Sequence, residues 1–202
     1  MTDPAALTAA DRQLMARLAT GDEVALEDIL ERHWSALLDY ATRWLDTPDA
    51  AQDLVQEAFI RLWDRRERWD GQSGARPILF RMVRNLAIDH RRQTAAVERS
   101  LQSLPPALPV APSAETIEEE ELLAALHQAL ERLNPREREI VILSRIQGLT
   151  RSEVAAVTGL APGTVSNLLS IGMSRLRRAV ERIIGDPEAP PLRPPRGHLR
   201  KI

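Results

Sequence analysis

Between Glu23 and Leu45, apolar residues recur near a 3.6-residue period, at Leu26, Ile29, Leu30, Leu37, Leu38 and Ala41. This spacing predicts a helix with one buried stripe. Thr47-Pro48 follows, a hydroxyl that caps a helix and a proline suited to its first turn. From Asp49 to about Arg68, Leu54, Ala58 and Leu62 share a face at i, i+4 and i+8. A turn at Asp70-Gly71-Gln72-Ser73-Gly74 interrupts. Arg76 to Gln93 resumes as a third helix with Leu79, Met82, Val83 and Leu86 inward. Farther on, Glu115 to Arg132 is acidic at its start, as a helix N-terminus favours. Asn134-Pro135-Arg136-Glu137 comes close to a capping box, and Thr150-Arg151-Ser152-Glu153 is one outright. No alternating strand pattern occurs.

Two composition breaks divide these helices. Ser100 to Ser113 holds Pro105, Pro106, Pro109 and Pro112 and no charge, which removes amide donors and obstructs a helix. It reads as an extended linker able to span roughly 40 Å at about 3.1 Å per residue. The tail from Pro187 is Pro-rich and basic, with Arg193, Arg196, Arg200 and Lys201, and is expected to be disordered. The expected fold is all-α: two small helical domains, residues 22–94 and 115–185, joined by a flexible Pro-rich linker over 95–114. Residues 1–21 form an N-terminal segment and residues 186–202 the tail.

Composition narrows the function. Aromatics are 3 % of the 202 residues, so the core is built from Leu, Ile, Val and Ala. The absence of Cys excludes disulfides, thiolate metal sites and a Cys nucleophile, and fits a reducing cytoplasm. No apolar run approaches the roughly 20 residues of a membrane span, and Met1 to Asp11 lacks a signal-peptide layout. His33, His90, His127 and His198 do not cluster with carboxylates at ligand spacing, and no glycine-rich phosphate loop is present. An enzyme is therefore not expected, nor any cofactor. Net charge is −2, but acidic and basic residues lie in separate blocks.

Two motifs remain. Glu153–Val157, the turn Thr158-Gly159-Leu160-Ala161 and Pro162–Ala179 form a helix-turn-helix pattern. Gly159 suits the positive φ of the sharp turn, and Val154, Ala155, Leu160, Val165 and Leu169 form the small core. The second helix of such a unit enters the major groove. The alternative is a plain helical hairpin. In the first domain, Arg81, Arg84, Asn85, Ile88 and Arg92 lie on one side of the third helix, extended by Arg76 and Arg91. Arginines position phosphates and an Asn reads a base edge. The alternative is a solvated face.

The two motifs in this order resemble the sigma-70 family, in its small two-domain, extracytoplasmic-function branch. The resemblance runs from about Asp22 to Arg182, excluding the linker. Its most specific pieces are Asp53-Leu54-Val55-Gln56-Glu57-Ala58-Phe59 with Arg61-Leu62-Trp63, and Leu79-Phe80-Arg81-Met82-Val83-Arg84-Asn85-Leu86-Ala87-Ile88-Asp89-His90. To these are added Leu133-Asn134-Pro135-Arg136-Glu137-Arg138-Glu139 and Gly163-Thr164-Val165. The resemblance implies a non-enzymatic subunit that directs core RNA polymerase to promoter DNA. Asp53, Gln56 and Glu57 would dock on the beta-prime clamp helices. Trp69 and Asn85 would help capture a flipped base of the −10 element, with Arg76, Arg81, Arg84, Arg91 and Arg92 along the same DNA. Trp63, inside its helix, is expected in the core. The second domain would bind the −35 element and the beta flap through Thr164, Ser166, Asn167, Ser170, Arg175, Arg177 and Arg178. An anti-sigma factor is an implied partner.

The sequence also departs from the family. Ala75 and Ile78 replace usual aromatics. From Val154 to Ser174 there is no charge, where the family usually has Arg or Lys at the positions of Ser166, Leu168 and Ile171. Leu168 and Ile171 are expected to form an exposed apolar patch, of the kind that marks a protein contact. Two competing readings are a sigma-like decoy that does not initiate, and an operator-binding repressor, which leaves the first domain unexplained.

Overall fold

The computed structural model describes residues 4–45, 47–100 and 126–185, with side-chain surroundings for 9–45, 47–94 and 126–182. Residues 95–100, expected in the linker, are helical as the end of the helix that starts at Ala75; the rest of the Pro-rich linker, the acidic helix start at Glu115 and the tail from Pro187 lie outside the described residues. Among those described, every regular element is helical. No single described helix is long and apolar enough to cross a membrane. The chain divides into two compact units, one holding the N-terminal helices and the other most of the C-terminal ones.

The first unit contains α1 (Pro4–Ala19), α2 (Glu23–Ala41), α3 (Pro48–Asp64), a 3-10 turn (Arg66–Arg68) and α4 (Ala75–Ser100). α1 was not foreshadowed by the sequence pattern, yet Leu14, Met15 and Leu18 are buried core residues. It stops where Gly21 turns to φ 87°. There the Gly21 amide donates to Leu18 O at 2.9 Å and the Asp22 amide to Arg17 O at 3.2 Å, a Schellman closure. Asp22 then caps α2, accepting from the Val24 and Ala25 amides. As the sequence predicts, Thr47 caps α3 through the Ala50 amide, with Pro48 at its first position.

α3 buries Leu54, Val55, Ala58, Phe59 and Leu62, and α4 buries Ala75, Leu79, Phe80, Val83 and Ala87. Met82 and Leu86, expected inward, are half-buried at the edge of that stripe, and Leu30 is exposed. Tyr40 packs its ring 5.3 Å from Phe80 and 6.1 Å from Trp44, while Trp34 stacks on Phe59 at 6.1 Å. The few aromatics are thus concentrated where α2 meets α3 and α4.

A buried carboxylate joins three of these helices. Asp11 of α1 accepts from Arg32 Nη1 of α2 at 3.1 Å and from the Arg76 amide of α4 at 3.3 Å. His33 Nε2 stands 3.0 Å from its second oxygen, in close contact without an aligned hydrogen bond. Burial opposes ionisation of Asp11, but His33, Arg32 and the Arg76 amide together hold its carboxyl below the ordinary carboxylate range.

The second unit has α5 (described over 126–131), α6 (Pro135–Val141), a π-helical turn (Ile142–Ile146), α7 (Arg151–Thr158) and α8 (Pro162–Gly185). The Thr150 capping box forms as predicted: the Thr150 amide donates to Glu153 Oε2 at 2.8 Å and the Glu153 amide to Thr150 Oγ1 at 3.3 Å. Asn134 caps α6 through the Arg136 amide. Glu137 does not complete a capping box there. It is buried and accepts instead from Arg175 of α8. Gly172 is where α8 passes closest to α6, since a Cβ there would lie 2.9 Å from Val141 Cγ2. Gly159 adopts φ 73°, as the helix-turn-helix pattern requires.

Candidate functional site

α4 is two-sided. Its inner stripe is fully buried, and Arg81, Asn85, Arg91 and Arg92 are exposed on the remainder. Residues 81, 85 and 92 follow a 4-then-7 spacing along one outward line. Arg84, Ile88 and Arg76 are half-buried at its margins. Arg92 reaches Asp89 only at 3.6 Å, with both side chains well exposed, an exposed contact of small worth.

The loop before α4 is built from its own residues. Asp70 Oδ1 accepts from the Gln72 and Ser73 amides, both at 2.9 Å, and Oδ2 from the Ser73 hydroxyl at 2.9 Å. The Ser73 and Gln72 amides, with the Ser73 hydroxyl, hold the Asp70 carboxyl below its ordinary range. Trp69 Nε1 donates to Ser73 O at 2.7 Å. The indole N–H is therefore committed to the loop, and the ring is half-buried. Trp63 is half-buried, with the Arg66 guanidinium 4.2 Å from its ring centroid.

On α3, Asp53 and Gln56 are exposed, and Glu57 pairs with Arg61 one turn on at 2.7 Å. Both members of that pair are about 40 % exposed, and exposed i,i+4 pairs are worth only about 0.3–0.5 kcal/mol, so a partner can redirect Glu57. Ile60, 55 % exposed, lies on the same face at i+7 from Asp53. It was not a sequence candidate, because a lone Ile in an amphipathic helix reads as core.

α8 buries Val165, Leu169, Gly172, Leu176 and Ala179 and exposes Thr164, Asn167 and Ser170, with Ser166 half-buried. Two expectations meet the structure here. Arg175 is paired within the fold: its Nη1 donates to both Glu137 oxygens at 2.7 Å, with its side chain 34 % exposed. Leu168 and Ile171 are half-buried rather than an exposed patch. Among the described residues of this unit, Ile146 is the large exposed apolar side chain.

Other arginines cluster on the same unit. A groove of about 560 Å³ runs along α8, lined by Ser166, Ser170 and Arg177 from the helix and by Arg145 and Arg151 from the segments before it. Arg145, Arg151, Arg177 and Arg178 are all exposed. Arg145 and Arg151 escaped the sequence reading because they precede the charge-free stretch, one on the π-helical turn and the other inside a capping box.

Comparison with known proteins matches residues 29–97 to sigma-70 region 2 and residues 123–176 to sigma-70 region 4. The RNA polymerase sigma-E factor of Streptomyces avermitilis is 31 % identical over 165 residues, covering 81 % of this chain and 89 % of that protein. The chain belongs to the sigma-70 family, as an extracytoplasmic-function sigma factor. Among solved structures, CnrH in complex with the cytosolic domain of CnrY aligns with TM-score 0.63 and 26 % identity, over 85 % of this chain and 97 % of that one. The sigma factor RpoE of Bartonella quintana, in complex with the anti-sigma factor NepR, shares the fold with TM-score 0.64 at 22 % identity, over 77 % and 96 %.

A sigma factor acts in transcription initiation, binding core RNA polymerase and promoter DNA, and its family is non-catalytic. This sigma factor carries the loop and nearly all of α4 within the region 2 match and α8 largely within the region 4 match. α1 and Asp11 lie outside both matched spans.

Proposed function

We propose that the two units divide promoter recognition between them. Residues 22–94 bind core polymerase through Asp53, Gln56 and Glu57 on the beta-prime clamp helices, and recognise and melt the −10 element. Asn85 and the ring face of Trp69 take the extruded base, while Arg76, Arg81, Arg84, Arg91 and Arg92 follow the phosphates. Residues 115–185 bind the −35 element and the beta flap. In that unit Thr164, Ser166, Asn167 and Ser170 face bases, and Arg177 and Arg178 hold phosphates together with Arg145 and Arg151. The observation that carries the reading is the outward row of Arg81, Asn85 and Arg92 on α4, directly after a loop that is already closed. Unstacking a base costs a few kcal/mol and is repaid by a π-face and an amide held in place.

The protein works in the cytoplasm as a non-enzymatic factor. An anti-sigma factor holds it inactive, a reading supported by the solved complexes of similar fold. Run-off transcription with core polymerase and genomic DNA fragments tests the whole proposal. Discrete transcripts that depend on this chain are expected. Binding to core with no initiation from any fragment would replace it with a decoy.

A further inference from the structure

α4 lacks a cap of its own. The residue before it is Gly74, which has no side chain to receive the free amides of the first turn. The acceptor comes from 65 residues away: Asp11 Oδ2 takes the Arg76 amide at 3.3 Å. The same carboxylate is gripped by Arg32 at 3.1 Å and touched by His33 at 3.0 Å, both from α2. It is buried, and its helix is seated by Leu14, Met15 and Leu18. A negative group at a helix N-terminus also opposes the helix dipole favourably. The start of α4, ten residues before Asn85, is thus located by α1 and α2.

We infer that Asp11 is a positioning residue for promoter opening: from α1 it caps α4 and so fixes where Arg81 and Asn85 meet the melting strand. The inference rests on the proposed role of α4 and extends it to a helix outside the matched family region. Asp11 touches no DNA. It acts through the Arg76 amide and, through it, the junction between the Trp69–Gly74 loop and the helix.

The test uses the full chain with core polymerase and compares Asp11→Ala with Asp11→Asn. Core affinity in Asp11→Ala should stay within about twofold. Peptide-resolved hydrogen exchange should rise about tenfold across the first turn of α4 but not in α3, a change in the range of a lost cap. Open complexes on duplex promoter, read by permanganate, should fall about tenfold. Asp11→Asn keeps a carbonyl acceptor and should restore most of both signals. If Asp11→Ala does not fold, Asp11→Ser, too short to reach Arg76, gives the same readout. Unchanged exchange at the first turn overturns the inference. So does exchange that rises equally across α1 to α4, which would make Asp11 a general support, and so does unchanged opening with a loosened first turn. An Asn85→Ala control separates the two layers. If it leaves the bubble unaffected, the reading of α4 fails and the positioning role falls with it, while exchange still reports the cap.

Discussion

α4 brings its own positive charge: Arg81, Arg91 and Arg92 are exposed along it beside Asn85. α8 exposes Thr164, Asn167 and Ser170, and its first arginine, Arg175, is tied to buried Glu137. The other cations there are Arg177 and Arg178, later on α8 itself, and Arg145 and Arg151 from the segments before it. On the proposed roles, a single helix of the first unit carries both the amide for a base and the charge for the backbone. In the second unit the proposed base-facing groups share α8 with only part of the charge, and the alignment of Arg145 and Arg151 with them depends on how the π-helical turn, α7 and α8 pack. Damage to packing should therefore cost the second unit its DNA affinity, whereas in the first unit affinity follows the exposed side chains themselves.

The sharpest way to break this comparison is Asn85→Ala. A lost base contact of about 1–3 kcal/mol is roughly a 5- to 150-fold effect. It should appear in open-complex yield, with closed-complex binding nearly unchanged. Unchanged permanganate reactivity at the −10 thymines would make Asn85 a structural residue.

Next is Arg175→Ala against Arg177→Ala. Removing Arg175 strands a buried carboxylate. The loss should be about 2–4 kcal/mol of stability in the second unit, below the fully buried case because Arg175 is 34 % exposed. Arg177→Ala should leave stability within about 0.5 kcal/mol and weaken promoter binding. Thermal unfolding and filter binding separate the two, and equal stability losses would erase the distinction.

Smaller again is the effect of the borrowed cations. Arg145→Ala and Arg151→Ala should each reduce the slope of log affinity against log salt by about 0.9, the share of one phosphate. A salt series on holoenzyme–promoter binding measures it. No change in slope for either would mean that the groove does not face DNA.

The smallest expected change tests packing alone. Gly172→Ala places a methyl 2.9 Å from Val141. Overpacking of about 1–3 kcal/mol should outweigh the roughly 0.8–1 kcal/mol gained in helix propensity. Gly163→Ala, in open space on the same helix, should be neutral or stabilising by up to about 1 kcal/mol. Melting temperatures moving in the same direction would contradict this account of the α6–α8 crossing.

These contrasts also explain what the sequence revealed. The helices, the Thr47 and Thr150 caps and the outward row of α4 were legible because each depends on residues within a turn or two of one another. Arg175 was not, because its partner Glu137 is 38 positions away and both residues had plausible local roles. Leu168 and Ile171 were expected in the open because the family usually carries Arg or Lys at their positions; here they are half-buried. α1 went unannounced because one of its core positions is an Asp, and only the fold, bringing Arg32 and Arg76 to it from 21 and 65 residues away, makes a buried carboxylate tolerable.

The loop from Trp69 to Gly74 has a consequence for retargeting this protein. Its backbone is already fixed by the Asp70 side chain and the Trp69 indole. Ordering a residue on binding costs about 1–2 kcal/mol, so a base entering as proposed would meet a loop whose ordering cost falls on folding rather than on recognition. Trp69, Asp70 and Ser73 act as a frame, Gly71 supplies a left-handed turn at φ 75°, and Gln72 is exposed on it. Under the proposed −10 reading, position 72 is then an exchangeable tip on a rigid mount, the place to vary promoter preference without rebuilding the domain beneath it.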